Sequence, residues 1–287
     1  MIYGRRVIRT VKQTLDFASN CFRDSNISTY RLDAEILVSH VLNIERPKLY
    51  TEMEEKISIL HQYRINRLIT RRCKYEPMAY ILGSKEFYGL TFLVDRNVLI
   101  PRPETEFLVE QILQYDLRDK KVLDIGTGTG NIGITIKKMA PSAEIVCVDI
   151  SSKALKIAEK NQVRILKKKC IRFIKSDIYS NVSDKYDFIA SNPPYILSEE
   201  MNRLSPDVKN FEPGEALNGG SDGMKFYNRI ISGIPKFLKK GGYFLLEIDP
   251  GLKKKILSFA HQYGLKCISV IKDYNNMERT LAFRYED

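Results

Sequence analysis

One stretch constrains the fold more than any other. Val122-Leu123-Asp124-Ile125-Gly126-Thr127-Gly128-Thr129-Gly130-Asn131-Ile132-Gly133 runs from a β-rich apolar segment through glycines into a helical one. Glycine adopts positive φ freely and leaves no Cβ between the backbone and an approaching ligand. About twenty residues on, where a βαβ unit places its ribose-binding acid, Asp149 closes the next apolar run. A glycine-rich turn beside an incidental aspartate is the bland alternative, and the strand–loop–helix–strand order argues against it. The loop predicts a nucleotide site.

The alternation continues beyond it. Apolar β-rich runs occupy 121–125, 144–149, 171–175, 186–191 and 243–248, with helical stretches near 132–139, 154–166 and 224–238. This order predicts an α/β domain with a mostly parallel sheet, covered on both faces by right-handed crossovers. Two last strand candidates, 267–271 and 280–284, flank Asp273-Tyr274-Asn275-Asn276 and read as a terminal antiparallel pair.

Residues 1–85 follow a different period. Ile36, Leu37, Val41 and Leu42 recur at helical spacing, as do Ile57, Leu60, Ile65, Leu68 and Ile69, with Pro47 between the runs and Glu76-Pro77 after them. Phe87, Leu90, Phe92 and Val94 then alternate, followed by Val98, Leu99 and Ile100, and Asp95-Arg96-Asn97 between the halves predicts a hairpin turn. The expected organisation is a helical domain over 1–85, a β-hairpin linker over 86–100 and the α/β domain over 101–287. Pro101-Arg102-Pro103-Glu104-Thr105-Glu106 opens the last part as a helix start, where proline has no N–H to waste and glutamates suit the positive end.

Composition excludes several classes. Hydrophobic residues at 44% and charged ones at 28% suit a globular chain, and no apolar run approaches the about 20 residues that span a bilayer. Residues 1–12 are basic but lack the apolar core and cleavage site of a secretory signal, so a cytoplasmic location is expected. The five cysteines are scattered without a C-x-x-C pair, which argues against a disulfide framework or a zinc site. His40, His61 and His261 are equally dispersed; His40, among apolar neighbours, reads as structural, and no metal is expected. The formal charge of +11 suits a nucleic acid, a ribonucleoprotein or an acidic protein surface. Its basic runs, Arg71-Arg72, Lys167-Lys168-Lys169 and Lys253-Lys254-Lys255, lie far apart and read as solvated helix faces.

The glycine loop alone does not choose its nucleotide. Gly128-x-Gly130-x-x-Gly133 satisfies the dinucleotide fingerprint. Asp124 ahead of the glycines fits instead the Asp-x-Gly-x-Gly-x-Gly loop of methyltransferases, where an acidic group can face the amino-acid part of S-adenosylmethionine. Asn192-Pro193-Pro194-Tyr195, at the end of the fourth strand, decides the matter, because an open parallel sheet places its ligands there. Asn-Pro and Pro-Pro are ordinary turn formers, but this turn resembles the Asn/Asp-Pro-Pro-Tyr motif of methyltransferases that modify nitrogens conjugated to a planar system. Such a nitrogen has a delocalised lone pair and is a poor nucleophile. The Asn192 side-chain carbonyl and the Pro193 backbone carbonyl can each accept a hydrogen bond from it, holding it for attack and favouring positive charge on it. Pro194 stiffens the turn, and Tyr195 offers a face to a planar group. No strong base is needed, since the alkylated nitrogen is acidic.

Three further segments accompany the tetrapeptide: residues 101–106, Asp33-Ala34-Glu35, and Glu212-Pro213-x-Glu215-Ala216-Leu217-x-Gly219-Gly220-x-Asp222-Gly223. Together they resemble the peptide chain release factor glutamine methyltransferase family over nearly the whole chain. The resemblance implies a five-helix-like N-terminal domain that recognises substrate, a hairpin linker, and a seven-stranded Rossmann-like methyltransferase domain with an antiparallel C-terminal strand. It implies S-adenosyl-L-methionine as cofactor, S-adenosyl-L-homocysteine as its product, and a release factor as partner. The methylated atom would be the side-chain amide nitrogen of the glutamine in the partner's Gly-Gly-Gln motif. By the same resemblance the cofactor lies on Gly126, Thr127, Gly128, Thr129 and Gly130, its ribose on Asp149, its adenine beside Asp177 and Ile178. The substrate glutamine falls at Asn192, Pro193, Pro194 and Tyr195, with Asn192, Pro193 and Tyr195 catalytic and Asn192 also bordering the cofactor. A monomer is expected, with no membrane and no nucleic-acid substrate. Asp249 departs from the family, which usually has glycine after Leu-Glu-Ile, and Asn275-Asn276 replace a Gly-containing turn before Arg279.

Three rivals remain at this stage. An N-methyltransferase for an exocyclic amine of DNA or RNA shares the tetrapeptide and would exploit the charge, although no segment is long enough for the target-recognition domain that DNA members generally carry. A nicotinamide oxidoreductase leaves the tetrapeptide unexplained. A non-enzymatic RNA-binding module on a dead fold is at odds with an intact loop and tetrapeptide.

Overall fold

Local signals near the start of the chain are strong enough to place the first helix to the residue. In a computed structural model describing residues 9–286, α1 (Val11–Asp24) starts where the Thr10 hydroxyl accepts from the Gln13 N–H while the Gln13 side chain accepts from the Thr10 N–H. Val11, Thr14, Leu15, Ala18 and Phe22 form its buried stripe. With α2 (Tyr30–Leu42), α3 (Arg46–Thr51), α4 (Ile59–Arg72) and α5 (Met78–Leu82) it encloses a core of Phe22, Leu37, Leu49, Ile65 and Ile69. These helices form one compact unit, to residue 83, and a short helix from much later in the chain, Pro206–Phe211, belongs to the same unit. Of the basic segment 1–12, residues 1–8 lie outside the described residues.

Three expectations change here. Leu60 is exposed, because the buried stripe of α4 begins at Ile65 and continues through Ile69 to Arg72. Arg71-Arg72 is not a solvated face. Successive residues on a helix point about 100° apart, so Arg72 turns inward to the buried Asp33, at 2.7 Å, and to the Glu76 carbonyl, while Arg71 grips the Glu76 carboxylate. His40 stands exposed on α2 rather than packed among its apolar neighbours. In the Asp33-Ala34-Glu35 segment, Asp33 takes Arg72, Ala34 is fully buried, and Glu35 accepts from Arg46 and Tyr50.

The second unit comprises residues 84–205 and 212–287, of which those to 286 are described. It opens with a hairpin of β1 (Ser84–Phe87) and β2 (Leu90–Leu93). The hairpin turns at Tyr88-Gly89 and not at Asp95-Arg96-Asn97. Both Tyr88 and Gly89 have positive φ, 52° and 68°, the twist that a two-residue hairpin loop requires. Asp95 instead caps its own local turn by accepting from the Asn97 N–H, and the next regular element is the helix Glu104–Leu113.

Beyond the hairpin, α6 (Glu104–Leu113) leads into β3 (Lys121–Ile125), α7 (Asn131–Met139), β4 (Glu144–Asp149), α8 (Ser152–Leu166), β5 (Arg172–Lys175) and β6 (Tyr186–Ser191). A short β7 (Ile196–Leu197) is followed by the Pro206–Phe211 helix, α9, and by β8 (Asn218–Gly220). Then come α10 (Lys225–Phe237), β9 (Leu238–Glu247), α11 (Lys253–His261), β10 (Leu265–Lys272) and β11 (Glu278–Tyr285). Seven strands form one sheet in the order β10-β11-β9-β6-β3-β4-β5, parallel except that β11 runs against both neighbours.

Period-two alternation divides the core. Val122, Ile145, Cys147 and Phe188 pack with Leu108 and Ile112 of α6 and Ile132 and Ile136 of α7. Leu123, Ile125, Val146 and Ile189 face the other way, against Tyr227, Ile230 and Ile234 of α10 and Ile256 of α11. Strand order reverses beside β3, so the carboxyl ends of β3, β4, β5 and β6 border the crevice where such sheets bind ligands.

Candidate active site

The glycine loop is held from below. Asp124, fully buried, accepts from the Thr127 hydroxyl at 2.5 Å and the Gly133 N–H at 3.1 Å, with the Cys147 thiol at 3.8 Å. Through Oδ2 it therefore braces the loop from beneath, while its buried Oδ1 has no hydrogen-bond partner among the described residues. Burial pushes its carboxyl up to about 6. Gly126, Gly128 and Gly130 all have positive φ. A Cβ on Gly126 or Gly128 would meet nothing, so conformation and open space for a ligand set those two positions. Gly130 and Gly133 are glycines for packing: a Cβ would strike Ile134 in the first case and the Cys147 sulfur in the second. Thr127 and Thr129 are buried, their hydroxyls given to Asp124 and Asn131, so their side chains shape the loop from inside. Asn161 clamps the loop to the hairpin, donating to the carbonyls of Thr129 and Leu93 and accepting from the Leu93 N–H.

Asp149 ends β4 with each carboxylate oxygen taking one backbone donor, Gly128 N–H at 2.9 Å and Ser151 N–H at 2.8 Å. Two oxygens with lone pairs to spare, at the mouth of the loop, fit a ribose diol. Burial raises its pKa, against the pull of these backbone donors. After β5, Asp177 lies half-exposed in an ion pair with Arg229 at 2.8 Å. The next residue, Ile178, is buried with φ of 55°. A β-branched residue in the left-handed region is strained by about 1–3 kcal/mol and persists only where its surroundings impose it. Here the Ser176 hydroxyl bonds the Ile178 carbonyl while accepting from the Asn181 N–H.

The tetrapeptide follows β6, whose last residue, Ser191, ties its hydroxyl to the Ile125 carbonyl at the end of β3. Residues 212–223 buttress it. Ile196–Leu197 pairs in parallel with Asn218–Gly220, and a Cβ on Gly219 would lie 2.6 Å from the Tyr195 Cα. One on Gly223 would lie 2.9 Å from the Tyr195 carbonyl oxygen. Glu212 anchors this segment by accepting from Arg102 and from the Ile100 N–H. Pro193 is buried, Asn192 and Tyr195 are partly exposed, and burial holds the Tyr195 phenol well above its usual range.

Asn192 donates its side-chain N–H to the Thr105 hydroxyl at 3.0 Å, and Thr105 donates to the Glu247 carboxylate at 2.6 Å. Neither Thr105 nor Glu247 stood out as a site residue in the sequence. Thr105 sat inside a segment that read as a helix start, and Glu247 was one charge in the apolar run Phe244-Leu245-Leu246-Glu247-Ile248, which was the available signal. The two family departures are accommodated locally. Asp249 caps the turn after β9 through the Gly251 N–H, with φ of −76° that needs no glycine. Asn276 takes the left-handed φ of 63° that asparagine tolerates, inside a turn organised by Asp273, which also holds Arg279.

Sheet order, glycine loop, ribose-type aspartate and tetrapeptide together define an S-adenosylmethionine-dependent methyltransferase. Residues 103–204 match the Methyltransferase small domain family, and residues 13–83 match the PrmC N-terminal domain family. The release factor glutamine methyltransferase of Thermodesulfovibrio yellowstonii is 40% identical over 88% of this chain and 91% of its own length. That of Clostridium acetobutylicum is 37% identical over 94% of this chain and 97% of its own. A methyltransferase structure from Pyrococcus furiosus superposes with a TM-score of 0.53 at 18% identity, covering 79% of this chain and 98% of that one, a likeness of fold. The chain belongs to the release factor glutamine methyltransferase family.

Proposed function

We propose that the enzyme methylates the side-chain amide nitrogen of the glutamine in the Gly-Gly-Gln motif of peptide chain release factors. Relatives carrying the release factor glutamine methyltransferase name, matched over nearly their full length, support the substrate. The observation that carries the chemistry is the Asn192 carboxamide, whose N–H end is engaged by Thr105 and whose carbonyl end is thereby left for a donor. An amide NH₂ is such a donor, with two hydrogens for two acceptors, Asn192 Oδ1 and the Pro193 carbonyl.

S-adenosyl-L-methionine, when bound, supplies an electrophilic methyl group on a sulfonium. Gly126, Thr127, Gly128, Thr129 and Gly130 would hold it through the loop backbone, Asp149 through its ribose, and Asp177 and Ile178 beside its adenine, with Asn192 at its border. The chain's own groups do the remaining work: Asn192 and Pro193 orient the nitrogen and stabilise the positive charge it develops, and Tyr195 lies against the planar amide. The helical unit is assigned to recognition of the protein substrate, since it is a separate compact unit that carries no nucleotide loop. Among the described residues no helix is long and apolar enough to cross a membrane. A monomer acting in the cytoplasm, where release factors work, completes the reading.

The test is incubation of candidate release factors with the enzyme and methyl-labelled cofactor, followed by mass spectrometry of the Gly-Gly-Gln peptide. One added methyl on the glutamine, absent when that glutamine is replaced, is the expected result. Labelling of DNA or RNA instead of the protein would overturn the substrate and keep the enzyme class.

A further inference from the structure

Resting on the amide substrate just proposed, we infer that Thr105 and Glu247 are positioning residues that decide which end of the Asn192 carboxamide faces the substrate nitrogen. A carboxamide is nearly symmetrical in shape and opposite in function at its two ends. With Oδ1 outward it accepts from the target NH₂; with Nδ2 outward it presents a donor to a donor and repels it. The tetrapeptide by itself carries nothing that chooses.

The choice comes from behind. Glu247 is 2% exposed at the end of β9, and its Oε2 lies 2.6 Å from Thr105 Oγ1. An ionised carboxylate only accepts, so the single hydroxyl proton of the buried Thr105 points to Glu247. The Thr105 lone pairs then face Asn192, and only the N–H end of the carboxamide can bond to them, at 3.0 Å. Oδ1 is left for the substrate. Polarity is thus passed from a buried charge through one hydroxyl to the side chain that meets the reacting atom. This also gives Thr105 of the Pro101-Arg102-Pro103-Glu104-Thr105-Glu106 segment a purpose beyond starting a helix.

The relay reverses when Glu247 takes a proton. The carboxylic acid donates to Thr105, Thr105 donates onward, and Asn192 turns its oxygen inward. Burial pushes Glu247 up to about 7; Glu104 adds to the rise, and Thr105, Arg279 and Arg102 oppose it. Two phenols complete its surroundings: Tyr227, whose hydroxyl donates to the Glu247 carbonyl, and Tyr195, whose own ionisation Glu247 opposes. The active form is the ionised one, so activity is full above this pKa and is lost as pH falls through it.

The experiment measures kcat and KM for a release factor between about pH 5.5 and 9 in the full chain, with calorimetry of S-adenosylmethionine binding on each variant. The wild type should show kcat rising with pH through an inflection near Glu247's value of about 7. Thr105→Val should lower kcat by about ten- to a hundredfold, as for other groups that orient a reacting side chain, with cofactor affinity unchanged. Thr105→Ser should restore both kcat and the inflection. Glu247→Gln, which no longer titrates and offers Thr105 either end of its own carboxamide, should lower kcat at high pH and lose the inflection, with cofactor affinity unchanged. Wild-type kcat in Thr105→Val, an unchanged inflection in Glu247→Gln, or a Thr105→Val loss matched by loss of cofactor affinity and not rescued by serine would each overturn the inference. A wild-type enzyme that labels no release factor overturns the substrate reading itself, a result distinct from all three.

Discussion

Each unit of the molecule buries a carboxylate that reaches across its own fold, and the two are handled in opposite ways. In the helical unit Asp33, 5% exposed, meets the guanidinium of Arg72, which also binds the Glu76 carbonyl. In the methyltransferase unit the Glu247 carboxylate, 2% exposed, has among the described residues the hydroxyl of Thr105 as its hydrogen-bond partner, and that hydroxyl leads to Asn192. A guanidinium has donors only, so it neutralises the acid and ends the chain of contacts there. A hydroxyl donates and accepts, so it leaves the acid able to titrate and passes the direction of the bond onward. The first arrangement ties α2 to α4; the second connects a buried charge to the partly exposed side chain at the tetrapeptide.

The largest expected effect tests the scaffold side of this contrast. Arg72→Ala strands Asp33 in the core and should lower unfolding stability by roughly 3–5 kcal/mol, read from urea denaturation, with cofactor affinity unmoved. Replacing both partners by apolar residues should recover most of the loss; an Arg72→Ala protein with the wild-type midpoint would erase the distinction. Next comes the catalytic side. Asn192→Ala should slow methyl transfer by about 10²–10³-fold, the usual loss for one preorganised contact to a reacting group, while calorimetry shows cofactor binding and denaturation shows stability both near wild type. A rate within threefold would remove Asn192 from the chemistry. The smallest effect sharpens the boundary between chemistry and binding. Asp149→Ala should weaken S-adenosylmethionine by about 1.5–3 kcal/mol if its carboxylate accepts from ribose, and neither form should bind NAD; tight NAD binding to the wild type would reopen the dinucleotide reading of the loop.

Much of the α/β architecture was readable because local and global signals agree there. β3, β4 and β6 are apolar runs bounded by turns, and the Asp149 position follows from βαβ spacing alone. Errors arose where a long-range partner overrode local composition. Leucine-in and arginine-out is the reasonable expectation on α4, yet Asp33, 39 residues away, draws Arg72 inside while Leu60 stays in solvent. Asp95-Arg96-Asn97 has the composition of a turn, but the positive φ values at Tyr88-Gly89 place the hairpin bend earlier. What the linear pattern of the glycine loop does not reveal is the packing behind it, where a Cβ on Gly130 or Gly133 would strike Ile134 or Cys147. Thr105 and Glu247, 142 residues apart, share no spacing rule that a linear reading could detect.

The helix Pro206–Phe211 has a consequence for modularity. It belongs with the helical unit although its flanking residues belong to the methyltransferase unit, so the chain passes from one unit to the other at 83/84, at 205/206 and again at 211/212. A graft that exchanges residues 1–83 between two members of the family therefore transplants an incomplete part, leaving one piece of it behind in the recipient. A chimera that transplants the whole unit has to carry 206–211 along with its first 83 residues.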